Sequence, residues 1–279
     1  MQIFGLLYRC MAFQFIPIIH ILNIIGFIKR NYIMTAWATN MKKVFQWNHF
    51  IHSESHPLAG SPCIYFANHR ESIDFPIDIL LTCGYAGFIS RNFVGYVIPF
   101  MGLLTLMGNS VFYFDRTKIQ IDKFVDWVYV KMQSSNYKSI IIYPEGTRRT
   151  DNFCINPKKG GIMLSYKYKY PIQIIITKNK ELVCSVLKLN YNINVKLYTY
   201  MSSPIIPLDS QTLDEYVEIV TKEWHRCWEV VYADTAIANK CVPYILPDSY
   251  KYLPTDNALC WVVRGVFFAG IGLLICKNI

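Results

Sequence analysis

Acidic residues are scarce in this sequence: 19 aspartates and glutamates stand against 28 lysines and arginines, for a net charge of +9. That excess points to an acidic partner, such as anionic lipid, a phosphorylated substrate or nucleic acid. Nucleic acid is the poorest fit, because the basic residues are scattered and no recognised reading module is present. The nine cysteines are odd in number, lie far apart and form no CxxC pair. This argues against a disulfide framework or a zinc site and for a reducing environment. No Asn-x-Ser/Thr sequon occurs, in keeping with a body that faces the cytosol. Charge of either sign is low, at 17% against 53% hydrophobic residues, so membrane segments are sought first.

Two stretches qualify. Met11 to Ile28 carries no formal charge and has no small-x-small cleavage site after it, which reads as an anchor rather than a removed signal. Lys29, Arg30, Lys42 and Lys43 follow it, against Arg9 alone before it; the positive-inside bias places the chain after this stretch in the cytosol. Pro17, His20 and Asn23 interrupt it, so a span and an interfacial helix in one leaflet both fit. Ala258 to Cys276 is apolar apart from Arg264, whose long stem would let its charge snorkel to the surface.

Between these ends, short β-prone runs alternate with helical patterns, the mark of an α/β fold. Strands are expected at residues 64–67, 85–89, 111–114, 139–143, 171–176 and 195–200. Amphipathic helices are expected over residues 118–135 and 212–232, the second with Trp224 and Trp228 on its apolar stripe. Phe93 to Met107 is nearly uncharged and broken by Pro99; it fits an apolar groove, a membrane-facing segment or ordinary core. The expected organisation is an N-terminal anchor and linker over 1–48, a catalytic domain over 49–235 and a C-terminal membrane-associated segment over 236–279.

Chemistry gathers at three corners at the ends of strands. At the first, Ile64 to Ala67 delivers His69, and a helical pattern with Ile73, Ile77 and Leu80 on one face then begins. Asp74 falls in its first turn. A carboxylate there can hold one imidazole N–H, fix the tautomer and leave the other nitrogen free to take a proton. A decoy precedes it: His49 and Glu54 repeat the spacing within NHFIHSESH, a polar stretch that reads as a linker. At the second corner, Arg116 ends the strand of residues 111–114, where open α/β sheets bind ligands. At the third, Pro144-Glu145-Gly146-Thr147-Arg148-Arg149 comes after residues 139–143. Gly146 permits a tight turn, and Arg148 offers a planar fork for a phosphate. Lys158 and Lys159 then open a helix whose N-terminus could add donors for an anion.

These corners resemble the signature of the glycerolipid acyltransferases. Asn68-His69 with Asp74 matches their Asn-His-x4-Asp block, and YPEGTRR is similar to Phe-Pro-Glu-Gly-Thr-Arg-Ser. GNSVFYFDR resembles the block ending in Arg, and YPIQIII the last, Pro-containing strand. The four blocks stand in the family's order between about residues 60 and 177. Tyr143 replaces the usual Phe, and Arg149 replaces the usual small hydroxyl, which bears on head-group preference.

The resemblance implies a mixed sheet flanked by helices, with apolar membrane-associated helices at both ends. It implies transfer of an acyl chain from acyl-CoA to the free hydroxyl of a lysophospholipid, foremost 1-acylglycerol-3-phosphate. His69 and Asp74 would be catalytic; Asn68, Arg116, Glu145, Gly146, Thr147 and Arg148 would serve substrate binding, the arginines on the acceptor's phosphate. No metal and no cofactor is implied, acyl-CoA being a co-substrate. The partners would be the acyl-CoA, the lysophospholipid and a bilayer, at the endoplasmic reticulum or its equivalent. Another lysophospholipid acceptor such as lysocardiolipin, or a catalytically silent lipid-binding protein, are the alternatives.

Overall fold

The computed structural model describes residues 33–91, 111–114, 120–135, 137–185 and 190–245. The apolar stretches 11–28, 93–107 and 258–276, and Arg116, lie outside the described residues. Among the described residues no helix is long and apolar enough to cross a membrane.

The β-branched and aromatic runs form strands as their composition demands. The central strand β2 (Ile64–Ala67) is buried along its whole length. It lies parallel between β5 (Ser139–Ile142) and β6 (Ile172–Lys178). Beyond β5 come β3 (Ala86–Arg91) and β4 (Val111–Phe114), also parallel. On the other side β9 (Lys196–Met201) pairs antiparallel with β6, and β1 (Asn48–His52) pairs parallel with β9. β10 (Cys241–Pro243) closes that edge, so the order is β10-β1-β9-β6-β2-β5-β3-β4. The short β7 (Cys184–Ser185) and β8 (Asn190–Tyr191) form a separate ribbon.

Alternate residues of β2 point to opposite faces, as a pleat requires. Tyr65 and Ala67 join a core with Met34, Ala38, Met41 and Phe45 of α1 (Ile33–Phe45) and Ile77 and Leu80 of α2 (Asp74–Leu81). Ile64 and Phe66 join a second core on the opposite face. There they meet α3 (Ile121–Ser134), α4 (Lys159–Tyr168) and α6 (Leu213–Tyr232). The start of α6 is fixed by a capping box: Thr212 Oγ1 accepts from Glu215 N–H, and Glu215 Oε2 accepts from Thr212 N–H. Its stripe of Tyr216, Val220, Trp224, Trp228 and Val231 is buried, as the sequence spacing predicts.

One expectation needs correction. Asn48–His52 is not a linker but a strand inside the sheet. Its histidines resemble a polar run, yet His49 and His52 are both 4% exposed. Burial pushes the His49 imidazolium down to about 3, so the ring sits there neutral, with Nε2 against Thr199 Oγ1 at 2.8 Å. The sheet and its core also include described residues on both sides of 49–235: α1 packs its apolar face on α2, and Cys241–Pro243 hydrogen-bonds to β1.

The approach of α4 to β2 depends on one glycine. A Cβ at Gly161 would lie 2.6 Å from Phe66 Cε1 and 3.2 Å from Ile142 Cδ1. Alanine there would gain up to about 1 kcal/mol of helix propensity but must displace a ring fixed at the centre of the sheet. Gly161→Ala is expected to destabilise the fold by about 1–3 kcal/mol, read from the urea midpoint; a stabilised variant would contradict this packing.

Candidate active site

Strand β2 ends at Ala67, and the next residues turn over the C-terminal edge of the parallel block, where open sheets place ligands. Asn68 is fully buried. Its amide donates to Thr177 O at 2.8 Å and accepts Thr177 N–H at 2.9 Å. Asn68 therefore ties the end of β2 to β6; it has no surface left to offer a substrate.

His69 is next, with its side chain 17% exposed. Its Nδ1 lies 2.8 Å from Asp74 Oδ2. The same oxygen accepts the backbone N–H groups of Arg70 at 2.5 Å and Glu71 at 3.0 Å. Asp74 opens α2, so the helix dipole joins these donors around its carboxylate. With Nδ1 held, Nε2 has no protein partner among the described residues. One imidazole nitrogen is oriented by a carboxylate and the other is free to take a proton, the arrangement expected from the sequence. The ring also lies flat on Tyr143, with centroids 4.3 Å apart and planes inclined by 14°.

The third corner packs against the first. Gly146 adopts φ of +73° and its N–H donates to Tyr143 O at 3.0 Å, a turn that favours glycine. This folds Glu145 inward, where Oε2 accepts the His69 backbone N–H. Burial pushes the Glu145 carboxyl up to about 7, with Asp74 adding to the rise and the His69 N–H opposing it. Arg149 N–H donates to His69 O at 2.9 Å, so both sides of the His69 peptide are held from this loop. Thr147 is exposed at the rim. Arg148, 43% exposed, pairs with the buried Glu71 at 3.0 Å and donates to Ser72 Oγ at 3.0 Å. The side chain of Arg149 instead turns to Asp151, at 2.9 Å.

The structure thus brings His69, Asp74, Glu145, Gly146, Thr147 and Arg148 to one corner, while Arg116 lies outside the described residues. Residues without a signal in the sequence complete it. Arg70 is fully buried, pairs with Glu181 at 3.1 Å and donates to the carbonyls of Thr150 and Asp151. Its guanidinium also lies 5.2 Å from the Tyr232 ring centroid. From α6, Trp228 Nε1 donates to Asn152 O at 2.9 Å and Trp224 Nε1 to Ile155 O at 3.0 Å. The loop carrying Arg148 is therefore pinned from beneath by three buried side chains. His225, beside that stripe, meets Asn156 Oδ1 at 2.7 Å and stands apart from the corner. Among the described residues no cluster of His, Cys, Asp or Glu could hold a metal ion.

Residues 48–178 match the family model described as Acyltransferase. A segment of 144 residues is 27% identical to the chloroplastic 1-acyl-sn-glycerol-3-phosphate acyltransferase BAT2 of Brassica napus, covering 51% of this chain. The match spans 40% of that relative's length. The fold is similar to the crystal structure of the 1-acyl-sn-glycerophosphate acyltransferase PlsC from Thermotoga maritima. The TM-score is 0.56 and the identity 19%, covering 80% of this chain and 95% of that one.

The raised Glu145 carboxyl has a thermodynamic signature. Between its ordinary value of 4.5 and about 7, the folded chain keeps a proton that the unfolded chain has released. Stability is therefore lost as pH rises through that window. Glu145→Gln cannot ionise, so its stability relative to the intact chain is expected to improve by roughly 2–3 kcal/mol between pH 4.5 and pH 7.5. Urea unfolding across that range measures it, and a difference independent of pH would refute the buried, proton-holding Glu145.

Proposed function

From the match of residues 48–178 to the Acyltransferase family model, we propose that the protein transfers an acyl chain from acyl-CoA to the free hydroxyl of a lysophospholipid. The acceptor is foremost 1-acylglycerol-3-phosphate, the product then being phosphatidic acid. The observation that carries this reading is the Asp74–His69 pair at 2.8 Å with Nε2 left open. An alcohol is a poor nucleophile while it keeps its proton. His69 takes that proton as the oxygen attacks the thioester carbonyl, and Asp74 stabilises the imidazolium so formed. Such proton transfer contributes about 10²–10⁴ in rate. The collapsing tetrahedral intermediate expels the CoA thiolate, which recovers the proton from His69.

Arg148 supplies the acceptor's phosphate with a planar, permanently charged fork. It is half-exposed at the rim and pre-oriented by Glu71 and Ser72. Arg116 is proposed as a second phosphate contact, and Gly146 and Thr147 shape the same rim. Asn68 and Glu145 act on the site through the backbone they hold. The chemistry needs no metal or prosthetic group. The reaction is proposed to run at a membrane surface, with the folded body on the cytosolic side.

Both roles separate kinetically. His69→Ala is expected to lower acyl transfer at least about 10²-fold while circular dichroism stays unchanged. Arg148→Ala is expected to raise the KM for the phosphate-bearing acceptor about tenfold with kcat retained. Near-normal turnover without His69 would remove the general base, and a change confined to the acyl-CoA KM would move Arg148 to the donor site.

A further inference from the structure

Lys180, Asp78 and Tyr143 take no part in the proton and acyl transfers, yet they form a buried ionic cluster directly behind His69. Lys180 opens α5 (Lys180–Val183) and its side chain is 0% exposed, while that of Asp78 on α2 is 1% exposed. Lys180 Nζ lies 2.8 and 2.9 Å from the two Asp78 oxygens. Desolvating both partners makes such a pair weak ground for stability, so its placement asks for another reason. Two contacts supply one. Lys180 Nζ also donates to Asn68 O at 3.0 Å, the carbonyl directly before His69. Asp78 Oδ2 accepts the Tyr143 hydroxyl at 2.9 Å, and it is the Tyr143 ring that lies flat under the imidazole at 4.3 Å.

We propose that Lys180, Asp78 and Tyr143 are positioning residues for His69, which hold its ring against Asp74 and present the face of the stacked phenol to the imidazolium formed when His69 takes a proton. This rests on the reading of His69 as the general base. A phenol that donates to a carboxylate gains electron density on its face, and a face richer in electrons attracts a stacked cation more strongly. A phenylalanine at this position would lack that donor; here the Tyr143 hydroxyl couples the ring to the ion pair. With Asp78 ionised the pair is neutral as a unit and holds geometry without imposing net charge; burial raises the Asp78 carboxyl to about 6, so this holds above that pH, where loss of one member exposes the other's charge to His69.

Several further charged groups surround the imidazole. Asp74 comes from α2, Arg70 and Glu71 from the corner, and Glu145 and Arg148 from the loop after β5. Glu181 of α5 acts through Arg70. Asp74 is the direct partner and is unchanged in every variant of the test. Glu145 contacts the His69 backbone rather than its ring; its carboxyl, raised to about 7 by burial, is ionised across part of the same pH range, and it is retained in every variant, so the comparison between variants carries the result.

The test titrates His69 in the full chain, in detergent micelles, by NMR of ¹³C-labelled histidine rings, with the His69 signal assigned by its loss in His69→Ala. Tyr143→Phe keeps the ring and deletes only the hydroxyl. Its His69 midpoint is expected to fall by about half a pH unit, with kcat about threefold lower and both KM values unchanged. Asp78→Asn leaves Lys180 uncompensated and is expected to lower the midpoint by about one unit. Adding Lys180→Met to Asp78→Asn removes the stranded charge while the amide can still accept the Tyr143 hydroxyl. The midpoint is then expected to return to within about 0.3 unit of the intact chain.

Midpoints unmoved in Tyr143→Phe and Asp78→Asn would overturn the proposal and leave the cluster as scaffolding. So would a double variant no nearer to the intact chain than Asp78→Asn alone. Should Asp78→Asn not fold, Tyr143→Phe decides by itself. The titration reads His69 whether or not acyl groups are transferred. An intact chain inactive towards every acceptor therefore refutes the proposed function separately from this result.

Discussion

One carboxylate oxygen organises this molecule's chemistry. Asp74 Oδ2 faces the His69 ring and two successive backbone N–H groups at once, at 2.8, 2.5 and 3.0 Å. Those contacts turn the chain from strand β2 into helix α2 and orient the imidazole in the same act. The helix that Asp74 opens is apolar on the side that meets α1 and the sheet, so the turn cannot shift without disturbing the core. A histidine at a strand end is otherwise free to rotate. Here its ring is fixed by a charge at one edge, by Tyr143 on one face and by Glu145 at its backbone.

The rest of the fold supplies support for that corner from beneath. Parallel strands β5, β2 and β6 bring the ends at residues 142, 67 and 178 to one edge of the sheet. The Trp-bearing helix α6 lies well away in sequence from the corner motifs. Its two indole N–H groups nevertheless end on carbonyls of the loop that presents Arg148. Arg70 does the same from within the corner itself. Packing and site geometry are thus one structure: the apolar stripe of α6 fills the second core, and its indole N–H groups hold the loop that carries Arg148.

The sequence made the central strands, the long amphipathic helices and the His69–Asp74 pair legible, because each rests on local periodicity or short spacing. The Glu145–Arg148 corner was legible for the same reason, since a glycine turn after a strand is a local event. Three kinds of feature were not. Asn48–His52 reads as polar but lies buried in the sheet, since burial keeps His49 neutral and Thr199, 150 positions away, meets its ring. Helix α1 stands beside one apolar run and β10 beside another, and their place in the core and the sheet depends on contacts distant in sequence. Arg70, Asp78 and Lys180 carry no motif at all. Their roles depend on partners that only the folded sheet brings together, such as Lys180 and Asp78 across 102 positions. Asn68, expected to serve the substrate, spends its amide on β6.

The proposed reaction is transfer of an acyl group at this corner to a phosphate-bearing lysolipid, with His69 as its base. The most direct measurement offers labelled oleoyl-CoA, in membranes containing the protein, to lysophosphatidic acid and several other lysophospholipids in parallel, with His69→Ala as blank. Labelled phosphatidic acid formed only by the intact chain is the expected result. No transfer to any acceptor by demonstrably folded protein, or equal transfer without His69, would contradict it.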